Sequence, residues 1–300
     1  MRKLLILAVL CAAAGAAQPG ALERARELYQ RTEYRAALDM LTRLPEQTAE
    51  TLLLQGQCQY MLGNYRDASG VLERAVALAP EDSRMHLWLG RAYGRRAETS
   101  SFLTAPRLAS RARERFERAV ALDPGNKAAI GDLFDYYMEA PGILGGGADK
   151  AAALAEKFKD TDTAEYHYRL AQLARKRNDL KTTEAQLRLA MEAAPGEVGR
   201  VIDLARFLAG QRRYRESDQL FAGAGREHSD NVKLLFEIAR TNIETGRNLD
   251  AAREMLARFL KSPLTPDDPP RREAEMLLEK LKDRRGRLSH DGTTLPAVLG

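Results

Sequence analysis

Internal repetition limits this chain more than any other feature. Leu170 and Ala171 return as Leu204 and Ala205, then as Ile238 and Ala239, each time after 34 residues. Gly90 stands 34 residues after Gly56, and Tyr65, Ala68 and Leu72 repeat Tyr34, Ala37 and Leu41 after 31. Thr51–Pro80, TLLLQGQCQYMLGNYRDASGVLERAVALAP, is one complete copy. Leu52, Leu53, Gly56 and Tyr60 fall at helical spacing in its first half, and Tyr65, Ala68, Leu72 and Ala75 in its second. The chain reverses between them at Leu62-Gly63-Asn64, where Gly63 takes a positive φ at little cost, and Pro80 closes the copy. Two helices this short cannot bury their apolar stripes alone. They are stable only when stacked on copies of themselves, so the expected architecture is all-α and continuous.

The step of 34, the Leu-Gly pair, the Gly-x-Tyr turn and the closing Pro together resemble the tetratricopeptide repeat family. The match is closest in WLGRAY (Trp88–Tyr93) and in Gly63–Pro80. The resemblance implies a right-handed α-solenoid of helix-turn-helix units whose first helices line a concave groove. In that family the groove holds an extended peptide or a helix of a partner, and the protein is a scaffold rather than a catalyst. Seven units are expected, at 21–45, 49–81, 83–125, 127–160, 164–196, 198–230 and 232–261. Ser262–Pro270 breaks the helical pattern. A capping helix at 271–284 and a flexible polar tail at 285–300 follow.

Before the array, Arg2 and Lys3 precede an apolar run from Leu4 to Ala17 that ends in small residues. That pattern is a secretory signal peptide, 1–17, cleaved after Ala17 or Ala16. Fourteen apolar residues are too few to span a membrane comfortably. A periplasmic or secreted location follows, with no membrane span after cleavage. The net charge is +5, and losing Arg2 and Lys3 leaves +3. Both signs interleave along the chain and no dense basic run carries aromatics, so no nucleic-acid partner is expected. After cleavage only Cys58 remains, and it reads as a small buried hydrophobe.

No catalytic constellation and no cofactor motif stands out. His86, His167, His228 and His290 fall in different repeats or in the tail, without a second ligand at metal spacing. Two regions interrupt the regular pattern. Ten extra residues enter the third unit around 97–106, and the fourth has an enlarged turn at 140–150, APGILGGGADK. That turn also resembles one in exported bacterial tetratricopeptide proteins. It lacks the Gly-Lys-Ser/Thr of a phosphate loop. Gly142, Gly145, Gly146, Gly147 and Lys150 read as a backbone-permissive turn, or as an anion contact made by free N–H groups beside Lys150.

The repeat register points Gln57, Arg91, Asp135, Gln172, Arg206 and Arg240 into the groove, and Arg84, Arg91 and Arg95 share one helix. Two readings compete: basic patches that hold an acidic peptide, or arginines paired with Asp203, Glu237 or Glu244. The function expected is that of a non-catalytic exported scaffold binding a protein or peptide partner. The alternative is a small-molecule-binding or transporter-associated envelope subunit built on the loops at 97–106 and 140–150. A closed apolar pocket at those loops would favour it.

Overall fold

A computed structural model describes the fold of residues 18–290 and the side chains of residues 20–282. The expected signal peptide and the last ten residues lie outside them. Seven helix pairs form among the described residues. α1 (Gln18–Gln30) pairs with α2 (Tyr34–Thr42), α3 (Ala49–Met61) with α4 (Tyr65–Leu78), and α5 (Ser83–Glu98) with α6 (Ala105–Leu122). α7 (Lys127–Glu139) pairs with α8 (Ala148–Ala155), α9 (Thr163–Lys176) with α10 (Leu180–Ala193), α11 (Val198–Gly210) with α12 (Tyr214–Glu227), and α13 (Val232–Thr245) with α14 (Leu249–Lys261). A last helix, α15 (Arg271–His290), packs on α13 and α14. It runs six residues beyond the end expected from the sequence, so helix replaces the first part of the expected tail. Among the described residues there is no strand, and the fold is an all-α solenoid of stacked helix pairs.

Local chemistry explains the regularity. First helices begin on short polar caps: Thr48, Asp82, Asn126, Asp162 and Asn231 each accept a backbone N–H from the first turn. The short turns inside the pairs share one left-handed residue. It is Gly63 (φ 81°) and Gly246 (φ 72°, with Asn248 at 47° in the same turn), but also Thr32 (61°), Asn178 (58°) and Arg212 (60°). The stacked neighbours impose the turn even where a side chain opposes it.

The chain divides after Lys157 into an N-terminal and a C-terminal unit. The N-terminal unit starts on a core of Ala25, Tyr29, Ala37, Leu41, Leu54 and Cys58. Burial pushes the Cys58 thiol up to about 12, so it serves as packing. The C-terminal unit ends on Phe236, Ala239, Leu256 and Phe259, which α15 covers with Ala274 and Leu281. That contact closes the last apolar face, as a solenoid cap must. Among the described residues no helix is long and apolar enough to cross a membrane.

The two irregular regions both lie in the N-terminal unit. The insertion lengthens α5 and α6 and leaves a short loop, Thr99–Thr104. The enlarged turn forms a 3-10 turn at Gly142–Leu144 before α8.

Candidate functional site

The first helices carry a ladder of ion pairs that link consecutive repeats. Asp132, Asp203 and Glu237 each stand two residues before the small-residue position of a repeat, or its equivalent Phe134. Arg91, Gln172, Arg206 and Arg240 each stand one residue after it. In the N-terminal unit Arg91 bonds Asp132 of the next repeat at 2.5 Å and lies over Trp88, 4.7 Å from the ring centre. In the C-terminal unit Arg206 bonds Glu237 at 3.1 Å and Glu244 at 3.3 Å. Arg240 pairs with Glu237 at 3.2 Å and with Glu273 of α15. Arg84 pairs with Glu50 and with Asp82, the latter at 2.6 Å, and Arg95 pairs with Glu98 and lies over Tyr65. Of the two readings, the paired one describes these arginines: each is engaged by acids of this chain, Arg206 by Glu237 and Glu244 and Arg240 by Glu237.

Gln57, Asp135 and Gln172 interrupt the arginines at this register, and of the three acids named only Asp203 follows such an interruption. Where an arginine would face Asp203, the preceding repeat supplies Gln172. Among the described residues the ion pair of Asp203 is with Arg200, 3.5 Å away, whose guanidinium also bonds Glu165. Burial lifts the Asp203 carboxyl to about 6, against the pull of Arg200, Lys233 and Arg206. Asp203 and Gln172 line a cleft of about 570 Å³ with Tyr168, Arg175, Arg206 and Arg212. Arg175 and Arg212 hold no ion pair among the described residues, and both are exposed. Sequence reasoning named Gln172 and Arg206 but treated Asp203 only as an arginine partner. The available signal was its register against Asp132 and Glu237, together with Gln172 in the arginine's place.

A raised carboxyl pKa fixes the direction of a pH effect. The folded state binds more protons than the unfolded state between the ordinary aspartate value and about 6. Stability due to this group therefore falls as pH rises through that window and stays lower at neutral pH. D203N is expected to raise the melting temperature at pH 7.5, by about 1 kcal/mol of stability after allowing for partial exposure, and to leave it unchanged near pH 4. Thermal melts at the two pH values check it.

The glycine turn is self-contained. The N–H groups of Gly145, Gly146 and Gly147 bond the carbonyls of Gly142, Pro141 and Tyr137. Lys150 donates to the Gly145 carbonyl at 2.9 Å and sits over Tyr137. Gly145 needs its positive φ of 85°, and a Cβ on Gly146 would lie 1.8 Å from the Ala140 carbonyl oxygen. The backbone-permissive reading describes this turn: those three N–H groups are bonded within the protein, and Lys150 spends one donor on Gly145. Phe102, Leu103 and Ile143 stand out in solvent.

Two of the histidines are held by groups of this chain. His86 is buried, with Nε2 at 2.9 Å from the Pro80 carbonyl, and burial lowers its pKa. Nδ1 of His167 lies 2.8 Å from Gln186 Oε1. Among the described residues no group of three His, Cys, Asp or Glu side chains is placed to hold a metal ion.

The arrangement of capped helix pairs is that of tetratricopeptide repeat proteins, and comparison with solved structures shows the same fold. A thermophilic tetratricopeptide repeat protein from Thermus thermophilus superposes with a TM-score of 0.52 at 24% identity, over 63% of this chain and 98% of that one. A tetratricopeptide repeat protein from Parabacteroides merdae superposes with a TM-score of 0.57 at 11% identity, over 88% of this chain and 98% of that one. No family model and no curated protein matches the sequence.

Proposed function

We propose that this chain is an exported, non-catalytic repeat scaffold that holds an extended segment of a protein partner in the cleft of its C-terminal unit. The gap in the arginine ladder at Gln172 carries the reading. It leaves the Asp203 carboxylate in a cleft of about 570 Å³ without the arginine that serves its counterparts. A partner that supplies a cationic side chain there would complete the ladder. An acidic group on the same partner would meet Arg175 and Arg212. A surface already held by packed helices costs little ordering when it binds. The charged and apolar start of the chain, with its small residues before Gln18, supports export.

The test is site-specific photocrosslinking of the exported chain in an envelope extract. A photoreactive phenylalanine analogue at Gln172 is expected to capture a protein partner, and D203K is expected to abolish the product. The same analogue at Leu78, exposed on α4, is expected to give none. Identical products from both positions would overturn the cleft as the site. N-terminal sequencing of the recovered chain is expected to begin at Gln18, or at Ala17 if cleavage follows Ala16. Recovery of intact Met1 would overturn export.

A further inference from the structure

Three large apolar side chains stand almost fully in solvent on the two irregular loops: Phe102 at 83%, Leu103 at 76% and Ile143 at 94% exposure. Single exposed apolar residues are ordinary, but these crown the turns of two consecutive repeats. Both loops join the first helix to the second in consecutive repeats. The 3-10 turn that carries Ile143 packs on α6, which begins directly after Leu103 and Thr104. Arg113 of α6 lies close against Gly145.

Each loop is held by its own hydrogen bonds, and these do not involve the tips. Thr99 Oγ1 donates to the Arg95 carbonyl at 3.1 Å, and the Ser101 and Thr104 hydroxyls lie 3.2 Å apart. Tyr136 donates to the Leu144 carbonyl at 2.8 Å, the Gly145 and Gly146 N–H groups are tied inside the turn, and that of Gly147 bonds Tyr137 of α7. The helix pairs would close without large apolar residues at these apexes.

The surroundings of the first tip are basic, while Glu139, Asp149 and Lys150 flank the second. The α6 helix carries Arg107, Arg111, Arg113, Arg115 and Arg118 against Glu114 and Glu117. Arg111 and Arg118 are paired with Glu73 and Glu81. Arg66, Arg96 and Arg107 have no acid partner among the described residues. Arg66 and Arg96 line a hollow with Thr99 and Ser100, next to the first tip, in which Asp67 is the one acid. Glu98, closer to the loop, is engaged by Arg95.

We propose that these tips dock the N-terminal unit on an anionic lipid bilayer. Phe102, Leu103 and Ile143 enter the boundary between headgroups and acyl chains, while Arg66, Arg96 and Arg107 meet lipid phosphates. Apolar insertion flanked by unpaired arginines is the chemistry of interfacial membrane binding. It is independent of the cleft in the C-terminal unit.

Vesicle co-flotation of the chain from Gln18 tests it, with phosphatidylcholine vesicles containing or lacking phosphatidylglycerol. Binding is expected only with phosphatidylglycerol and is expected to weaken as salt rises. The triple variant F102D/L103D/I143D is expected to lose binding at least about tenfold, with an unchanged melting temperature because the three residues are exposed. R66Q/R96Q/R107Q is expected to remove the preference for phosphatidylglycerol. Equal flotation of the aspartate variant and the parent chain would overturn the proposal. So would absence of vesicle binding together with photocrosslinks from Phe102 and Ile143 to another protein, which would assign the tips to a protein pocket.

Discussion

Replacing Glu165 by glutamine is expected to cost the C-terminal unit about 3 kcal/mol, the scale for breaking a buried ion pair from one side. One carboxylate serves two guanidiniums from consecutive repeats. Oε1 accepts from Arg169 of its own helix at 2.6 Å, and Oε2 meets Arg200 of the next first helix at 2.5 Å. The three side chains are 15%, 10% and 13% exposed, so water screens little of the loss. Arg169 retains Gln172 at 3.1 Å. Arg200 does not recover as easily. Its Nε already lacks a hydrogen bond, and its other acids, Glu197 and Asp203, stand 3.5 Å away. E23Q removes the partner of Arg26 at 3.2 Å in an exposed pair, and is expected to change stability by no more than about 0.5 kcal/mol. Urea unfolding of both variants makes the comparison. A loss below about 1 kcal/mol for E165Q would mean that the arginines swing out to water.

The repeat was legible because its cause is local. Ala and Gly at fixed intervals, Leu-Gly pairs and closing prolines mark where helices must approach, and that pattern survives in the sequence without a partner. The turn at Gly63 was readable for the same reason. The identical left-handed turn at Arg212 was not, because arginine gives no signal for positive φ and the stacked helices impose it. The site was harder to read. Arg206 and Arg240 belong on the first-helix face by register, but register does not say whether a guanidinium faces a ligand or an acid 31 residues further along, as in the Arg206–Glu237 pair. The glycine turn likewise left two readings open. Three glycines and a lysine resemble an anion cradle in sequence, yet the Gly145 and Gly146 N–H groups bend back to carbonyls of their own loop and that of Gly147 to Tyr137 of α7. Tertiary hydrogen bonding decided both cases, and single-sequence spacing contains none of it.

Gly90 tests how far packing, rather than backbone freedom, dictates the repeat glycine. Its position lies in the middle of α5, where alanine would ordinarily gain about 1 kcal/mol in helix propensity. A Cβ there would stand 2.6 Å from Phe116 Cε1 and 2.7 Å from Cδ1, inside a ring that is 6% exposed and has little room to retreat. Overpacking of this kind costs about 1–3 kcal/mol, so G90V is expected to destabilise the N-terminal unit by about 3 kcal/mol. On the same helix a Cβ at Gly94 would meet nothing within 4 Å, and G94A is expected to stabilise by about 0.5–1 kcal/mol. Opposite signs from two glycines one turn apart separate close approach from conformational need. The fourth repeat inverts the same pair of volumes: Phe134 takes the glycine's place, and Ala155 stands at the register of Phe116, both fully buried. The inversion implies that the sum of the two volumes is what the helix spacing tolerates. The double variant G90L/F116A is therefore expected to be more stable than the sum of its single changes predicts, by at least about 1 kcal/mol of coupling energy. Additive losses in urea unfolding would show instead that Phe116 is needed for contacts beyond α5.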